Sequence, residues 1–168
     1  MPQYPFQLIC ADYCSYKGIP YLVIVDRFSG WPTVTCAKDG ALGLINALKE
    51  IASNFGIPEE LSSDGGPEFT STATKQLLHK WGTHHRISSV AHASSNGRAE
   101  VAVKSMKRLL IDNIGPSGRL NSDEFMKAIM QYRNTPDEAT GISPAMYMFH
   151  RPIRDFLPDT NVNKVNGN

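Results

Sequence analysis

The chain has 168 residues and a mass of 18.5 kDa, the size of one domain around one core. Hydrophobic residues make up 41% and charged residues 20%, too apolar for disorder and too mixed for a coiled coil, and no apolar run approaches the roughly 18 residues that span a bilayer. Seventeen basic against sixteen acidic residues leave a net charge of +1, so an anionic partner must be met by a local patch rather than by bulk charge. The opening Met1-Pro2-Gln3-Tyr4 lacks the basic and apolar regions of a leader, and three cysteines (Cys10, Cys14, Cys36) point to reduced thiols inside a cell.

In chain order, Gln7 to Asp12 alternates and predicts a strand that ends at Asp12, with Leu8, Cys10 and Asp12 on one face. Tyr21 to Val25 is a continuous apolar run of β-formers, the pattern of a strand covered on both faces. Ser15 to Pro20 joins the two as a hairpin, and Trp31 to Cys36, with Pro32 at its start, predicts a third strand. Ala41, Leu44, Ile45, Leu48, Ile51, Ala52 and Phe55 then fall at helical spacing, stopped by Gly56 and Pro58. A fourth strand, Glu60 to Ser63, leads into Asp64-Gly65-Gly66-Pro67. A helix from Thr70 or Ser71 to Trp81 and a short strand from Thr83 to Ile87 follow.

Ser88 to Gly97 is small, polar and aperiodic, and predicts a loop. Next comes a long helix from about Asn96 to Asn113, with Ala99, Val103, Met106 and Leu110 as its buried stripe. Asn121 with Glu124 makes a capping-box-like start for a helix that buries Phe125, Ala128, Ile129 and Tyr132. Ser143-Pro144 opens a last short helix. Residues 159–168 are polar and unpatterned, a tail or linker beyond a single domain over 1–158. The order βββαβαβααα predicts an α/β fold, a mixed five-stranded sheet with helices on its faces.

Three acids stand where folding does not require one: Asp12 in an apolar strand, Asp64 at a glycine pair, and Glu100 one turn into the long helix. Each alone has an ordinary explanation, as a strand-end polar residue, an Asp-Gly turn and a first-turn acid favoured by the helix dipole. A mixed sheet with a crossing helix can also bring all three together, and such a cluster repels itself unless a cation neutralises it. Ligands that are all oxygen suit Mg²⁺ or Mn²⁺.

The stretches Ala11-Asp12-Tyr13, Tyr21 to Ser29, Phe55-Gly56-Ile57-Pro58 and Ser63-Asp64-Gly65-Gly66-Pro67-Glu68-Phe69 resemble the catalytic core of retroviral and LTR-retrotransposon integrases, especially the gypsy type. So do Trp81-Gly82, His84 to Ser89, Ser95 to Glu100 and Tyr132 to Pro136, so that the resemblance covers about residues 6 to 157. Thirty-five residues separate Asp64 from Glu100, as in the family's D,D-35-E pattern. The resemblance implies a ribonuclease-H-like fold and makes Asp12, Asp64 and Glu100 the catalytic and metal-binding triad. One departure is His92-Ala93-Ser94-Ser95, where relatives read aromatic-Pro-Gln-Ser. The family's upstream zinc domain and downstream tail domain are also missing from this stretch, whose His and Cys residues make no zinc pattern.

By the same resemblance, the expected activity is DNA 3′-end processing and strand transfer by in-line phosphoryl transfer. Two Mg²⁺ or Mn²⁺ ions would be held with DNA bound. Retroelement DNA ends and target DNA are the implied partners, contacted by Asn96, Gly97, Lys104, Lys107 and Arg108. A homodimer or higher oligomer acting in the nucleus, reached through cytoplasmic particles, is implied as well. No nucleotide cofactor is expected, because one phosphodiester is exchanged for another and no Walker-type loop is present. The other reading is a decayed or host-recruited copy that only binds DNA or protein.

Overall fold

The structure is a computed structural model that describes residues 1–87 and 97–156. Strands β1 (Leu8–Tyr16), β2 (Ile19–Asp26) and β3 (Pro32–Cys36) form an antiparallel meander. On the other side of β1, β4 (Glu60–Ser63) and β5 (His84–Ile87) pair in parallel, so the sheet order is β3-β2-β1-β4-β5. The helices are α1 (Ala41–Phe55), α2 (Pro67–Thr70), α3 (Thr72–Trp81), α4 (Gly97–Asp112), α5 (Ser122–Asn134) and α6 (Pro144–Phe149).

Alternation along β1 and β2 sorts the core into two layers. Ile9, Ala11, Leu22, Ile24 and Leu61 face α1, α2, α3 and α6. Tyr21, Val23 and Val25 face α4 and α5. Both faces of β2 are covered, which is why its sequence reads as one apolar run. The mixed α/β fold expected from the sequence is therefore present, with one short helix more than predicted. No helix among the described residues is long and apolar enough to cross a membrane.

The first hairpin is tighter than its sequence suggests. Tyr16 pairs with Ile19, leaving only Lys17 (φ 50°) and Gly18 (φ 80°) in the turn. Two positive φ values make a type I′ turn, whose twist matches the flanking strands, so Ser15 and Pro20 join the ladder. Asp12 consequently lies mid-strand and not at a strand end. The predicted helix from Thr70 or Ser71 becomes two, because Ser71 leaves the helical conformation (ψ 152°) and caps α3 by accepting from the Thr74 N–H at 3.2 Å. In α4 the buried stripe is Ala99, Ala102, Met106 and Leu110, with Val103 half-buried beside it. Asn121 and Ser143 cap α5 and α6 as their sequences indicate. Of the loop predicted over 88–97, Gly97 begins α4, while residues 88–96 and the tail over 159–168 lie outside the described residues.

Asp26 closes β2 and is fully buried. Its carboxylate accepts hydrogen bonds from the Phe6 N–H (2.7 Å), the Phe28 N–H (3.3 Å), the Ser29 N–H (3.0 Å) and the Ser29 hydroxyl (2.6 Å). Burial pushes its pKa above the ordinary carboxylate range, and those donors oppose the shift. The β2–β3 turn is thereby fixed from inside.

Candidate functional site

Asp12 belongs to the face of β1 that also carries Cys10 and Cys14, the face covered by α4 and α5. The parallel register of β1 with β4 pairs Leu8 with Glu60, Ile9 with Leu61 and Cys10 with Ser62. The pairing ends there; carried on, the same offset of 52 would bring Asp64, one residue past the end of β4, level with Asp12. Asp64 is exposed, and its Oδ1 accepts from the Gly66 N–H at 3.0 Å, which folds the chain back into α2. Gly65 has φ +78°, and a Cβ there would meet the Ile87 Cγ2 at 2.8 Å, so glycine is required by both backbone and neighbour. A Cβ on Gly66 would stand 3.4 Å from the Asp64 Oδ1 and 3.6 Å from the Glu68 Oε2. Glu68 thus brings a second carboxylate to this turn, a neighbour that spacing alone does not mark.

The Asp64 turn is braced from β5. The Ser63 Oγ lies 2.7 Å from the His85 Nε2, and the Gly65 N–H donates to the same Oγ at 3.3 Å. Burial, then the charges of His84 and Lys75, hold the His85 pKa below its usual value. The imidazole thus braces the loop, and its surroundings favour the neutral form.

Glu100 lies in the first turn of α4 and is half-buried. Seven residues on, Lys107 shares its face, about 10 Å along the axis. The Lys107 Nζ donates to the Asp12 Oδ2 at 2.6 Å, with side-chain exposures of 34% and 32%. Burial opposes the Lys107 charge, yet the hydrogen bond and the charge of Asp12 outweigh it and raise the ammonium pKa. Lys107 is thus turned inward onto Asp12, whereas Lys104 and Arg108 are exposed. No ion pair joins Glu100 to Lys104 among the described residues. Gly97 is exposed at the start of α4 with open space around it, and Asn96 lies outside the described residues.

Asp12 and Asp64 therefore lie on neighbouring parallel stretches, Asp12 within β1 and Asp64 just past β4, and Glu100 comes from the helix packed over β1 and β2. Among the described residues no three His, Cys, Asp or Glu side chains gather as a ready metal site. The donor chemistry still suits a hard divalent cation: the candidate ligands are all carboxylates, and Asp12 already has a cationic group, the Lys107 ammonium, on one oxygen. Two basic residues that the sequence leaves unassigned are structural. Arg27 pairs with Glu60 at 3.1 Å. Arg133 stacks on Trp31 at 4.3 Å and donates to the Pro32 carbonyl, and burial lowers its pKa to about 10.

The sequence profile of the integrase core domain matches residues 2–93. An uncharacterized Caenorhabditis elegans protein is 34% identical over 98% of this chain and 14% of its own length. The Gag-Pol polyprotein of walleye dermal sarcoma virus is 28% identical over 92% of this chain and 9% of its own length, so the chain spans a small part of these relatives. Among solved structures, the HTLV-2 integrase catalytic core domain in complex with magnesium, in a dimeric form, superposes with a TM-score of 0.61. That match is 23% identical and covers 86% of this chain and 97% of the other. The BIV integrase catalytic core domain gives a TM-score of 0.67 at 19% identity, over 84% and 93% of the two chains. These likenesses establish the fold as that of retroviral integrase cores.

Proposed function

The chain belongs to the integrase core domain family, and on that footing we propose that it is the polynucleotidyl-transferase core of a retroelement Pol polyprotein. Its reaction is 3′-end processing of element DNA followed by transfer of those ends into target DNA. What supports this reading is the parallel pairing of β1, which carries Asp12, with β4, which leads into Asp64, together with the placement of Glu100 on α4, the helix packed over β1 and β2. Asp12, Asp64 and Glu100 would hold Mg²⁺ or Mn²⁺, two ions with DNA bound. The chemistry supplied there is activation of the attacking water or 3′-hydroxyl and stabilisation of the leaving oxygen.

The chain's own residues account for binding and register. Lys104 and Arg108 are exposed on α4 and reach phosphates flanking the scissile bond, contacts that give affinity rather than base readout. Lys107 neutralises Asp12, and its ammonium, once released from that carboxylate, would be available to phosphate. Gly97 and Asn96 serve the same DNA at the start of α4. A dimer or higher oligomer working on chromosomal DNA in the nucleus, reached through cytoplasmic particles, completes the proposal.

A decayed copy that acts as a DNA-binding or interaction module is the second reading. It is favoured by the want of a gathered three-ligand group among the described residues. A nicking and strand-transfer assay on labelled element-end oligonucleotides separates the two. Cutting that needs Mg²⁺ or Mn²⁺ and is lost in Glu100→Gln and Asp64→Asn, with both variants folded, supports the transferase. Metal-independent cutting, or none from the wild type with DNA binding retained, refutes it in favour of the module.

A further inference from the structure

We propose that Arg98 is a positioning residue, pinning the first turn of α4 and so fixing where Glu100 is presented to the site it is proposed to form with Asp12 and Asp64. This rests on the carboxylate site proposed above. Helix ends fray, and a carboxylate in a loose first turn would not hold the roughly 0.5 Å placement that metal ligation requires. Arg98 is the second residue of α4, and its side chain is tied to three other parts of the fold. Its Nη1 donates to the Phe28 carbonyl at 2.6 Å, its Nη2 to the Tyr147 hydroxyl at 3.0 Å, and its Nε to the Asp137 carboxylate at 3.3 Å. The guanidinium also lies 4.4 Å from the Tyr147 ring centre.

The seat for this side chain is built in advance. Gly30 has φ +74°, and a Cβ there would meet the Arg98 Cγ at 2.8 Å, so only glycine leaves room for the stem. Phe28 and Gly30 belong to the turn that buried Asp26 holds, since the Phe28 N–H and the Gly30 N–H both donate to Asp26. The Phe28 ring meets Tyr147 edge-on at 5.6 Å. A carbonyl, a phenol, a carboxylate and an aromatic face are thus all served by one planar five-donor group. Lysine, a compact point charge, could not serve all four. Arg98 and Glu100 lie about 200° apart around the helix, so the anchor points away from the acids and touches no reacting atom.

The test uses Mn²⁺ alone as probe, followed by its electron-spin signal at a temperature where every variant is folded, with amide exchange of α4 as a second readout. Arg98→Ala is expected to weaken Mn²⁺ binding about tenfold or more, as loss of an outer support does. Arg98→Lys should recover part of that affinity, and Tyr147→Phe and Asp137→Asn should each weaken it by about two- to threefold. Exchange of the Val101 and Ala102 amides, whose bonds back to the Gly97 and Arg98 carbonyls close the first turn of α4, should quicken about tenfold in Arg98→Ala, with the rest of the helix unchanged. A folded Arg98→Ala that binds Mn²⁺ as the wild type does overturns the proposal, even if its melting temperature drops. A wild type that binds no Mn²⁺ overturns the functional reading instead. Exchange then decides for Arg98 alone, and unchanged first-turn protection would overturn the anchor as well.

Discussion

Replacing Lys107 with methionine should tighten Mn²⁺ binding while loosening the metal-free protein. The Lys107–Asp12 contact is a charge-assisted hydrogen bond of 2.6 Å between side chains that remain about one-third exposed. Hydrogen bonds to charged groups contribute about 1.5–3 kcal/mol when sheltered, and exposed ion pairs about 0.2–1 kcal/mol. Screening at this exposure brings the contact to about 1 kcal/mol. An ion held by Asp12 would compete with the ammonium for Oδ2 or be repelled by it at Oδ1, so removing that charge should tighten binding about fivefold at low salt. The metal-free variant should lose a similar amount, a fall of roughly 2–4 °C in Tm for a chain of this size.

Because Asp12 raises the Lys107 pKa, the contact is fully present below the unfolded lysine pKa of about 10.4. It is lost only as pH rises through the still higher folded value, so competition persists throughout the neutral range. The assay is a Mn²⁺ titration of wild type, Lys107→Met and Lys104→Met in low and high salt. Lys104→Met removes the same unit charge from an exposed position and should shift affinity less than twofold. Equal or weaker binding by Lys107→Met, or an equal gain in Lys104→Met, would refute competition at Asp12.

Two further outcomes test the Asp64 turn. Burial and neighbouring positive charge lower the His85 pKa, so the unfolded chain binds a proton that the folded one refuses. Stability from this source is present above about pH 6.5 and is lost as pH falls toward the folded value, so wild-type Tm should drop more between pH 7.5 and 5 than that of His85→Gln; parallel curves would contradict it. Gly65→Ala forces a left-handed alanine against Ile87, which should cost about 2 kcal/mol or roughly 4–8 °C in Tm, partly relieved by Ile87→Ala; an unchanged Tm would show that the loop relaxes freely.

Local pattern made most of the architecture legible. The bounds of α1 and β4 follow from periodicity and punctuation, and the caps at Asn121 and Ser143 from single residues. The misses occur where local signals compete or where the deciding contact is remote. Ser15-Tyr16 and Ile19-Pro20 read as connection because the type I′ turn at Lys17-Gly18 needs only two residues. Helical spacing puts Lys107 on the Glu100 face, but only packing of α4 on β1 turns its ammonium onto Asp12, 95 residues away in sequence. The partners of Arg98 are 39, 49 and 70 residues distant, and no motif announces them.

Asp12 and Asp26 show why acidity within an apolar strand does not by itself mark a site. Both interrupt runs of β-formers, and they lie on adjacent antiparallel strands. Asp26 offered a signal, a serine three residues on, and the structure uses it: four donors from the chain satisfy a fully buried carboxylate. No cation is needed there, and one would find the oxygens occupied by N–H and O–H groups. Asp12 is half-open, and among the described residues its carboxylate takes one hydrogen bond, from a flexible lysine. A backbone N–H cannot be displaced without unfolding the turn, whereas an ammonium on a four-carbon stem can swing aside at a cost of about 1 kcal/mol. The acid left open to exchangeable cations is thus the less buried and less satisfied of the two, and the sequence distinguishes them only through the neighbours each will meet.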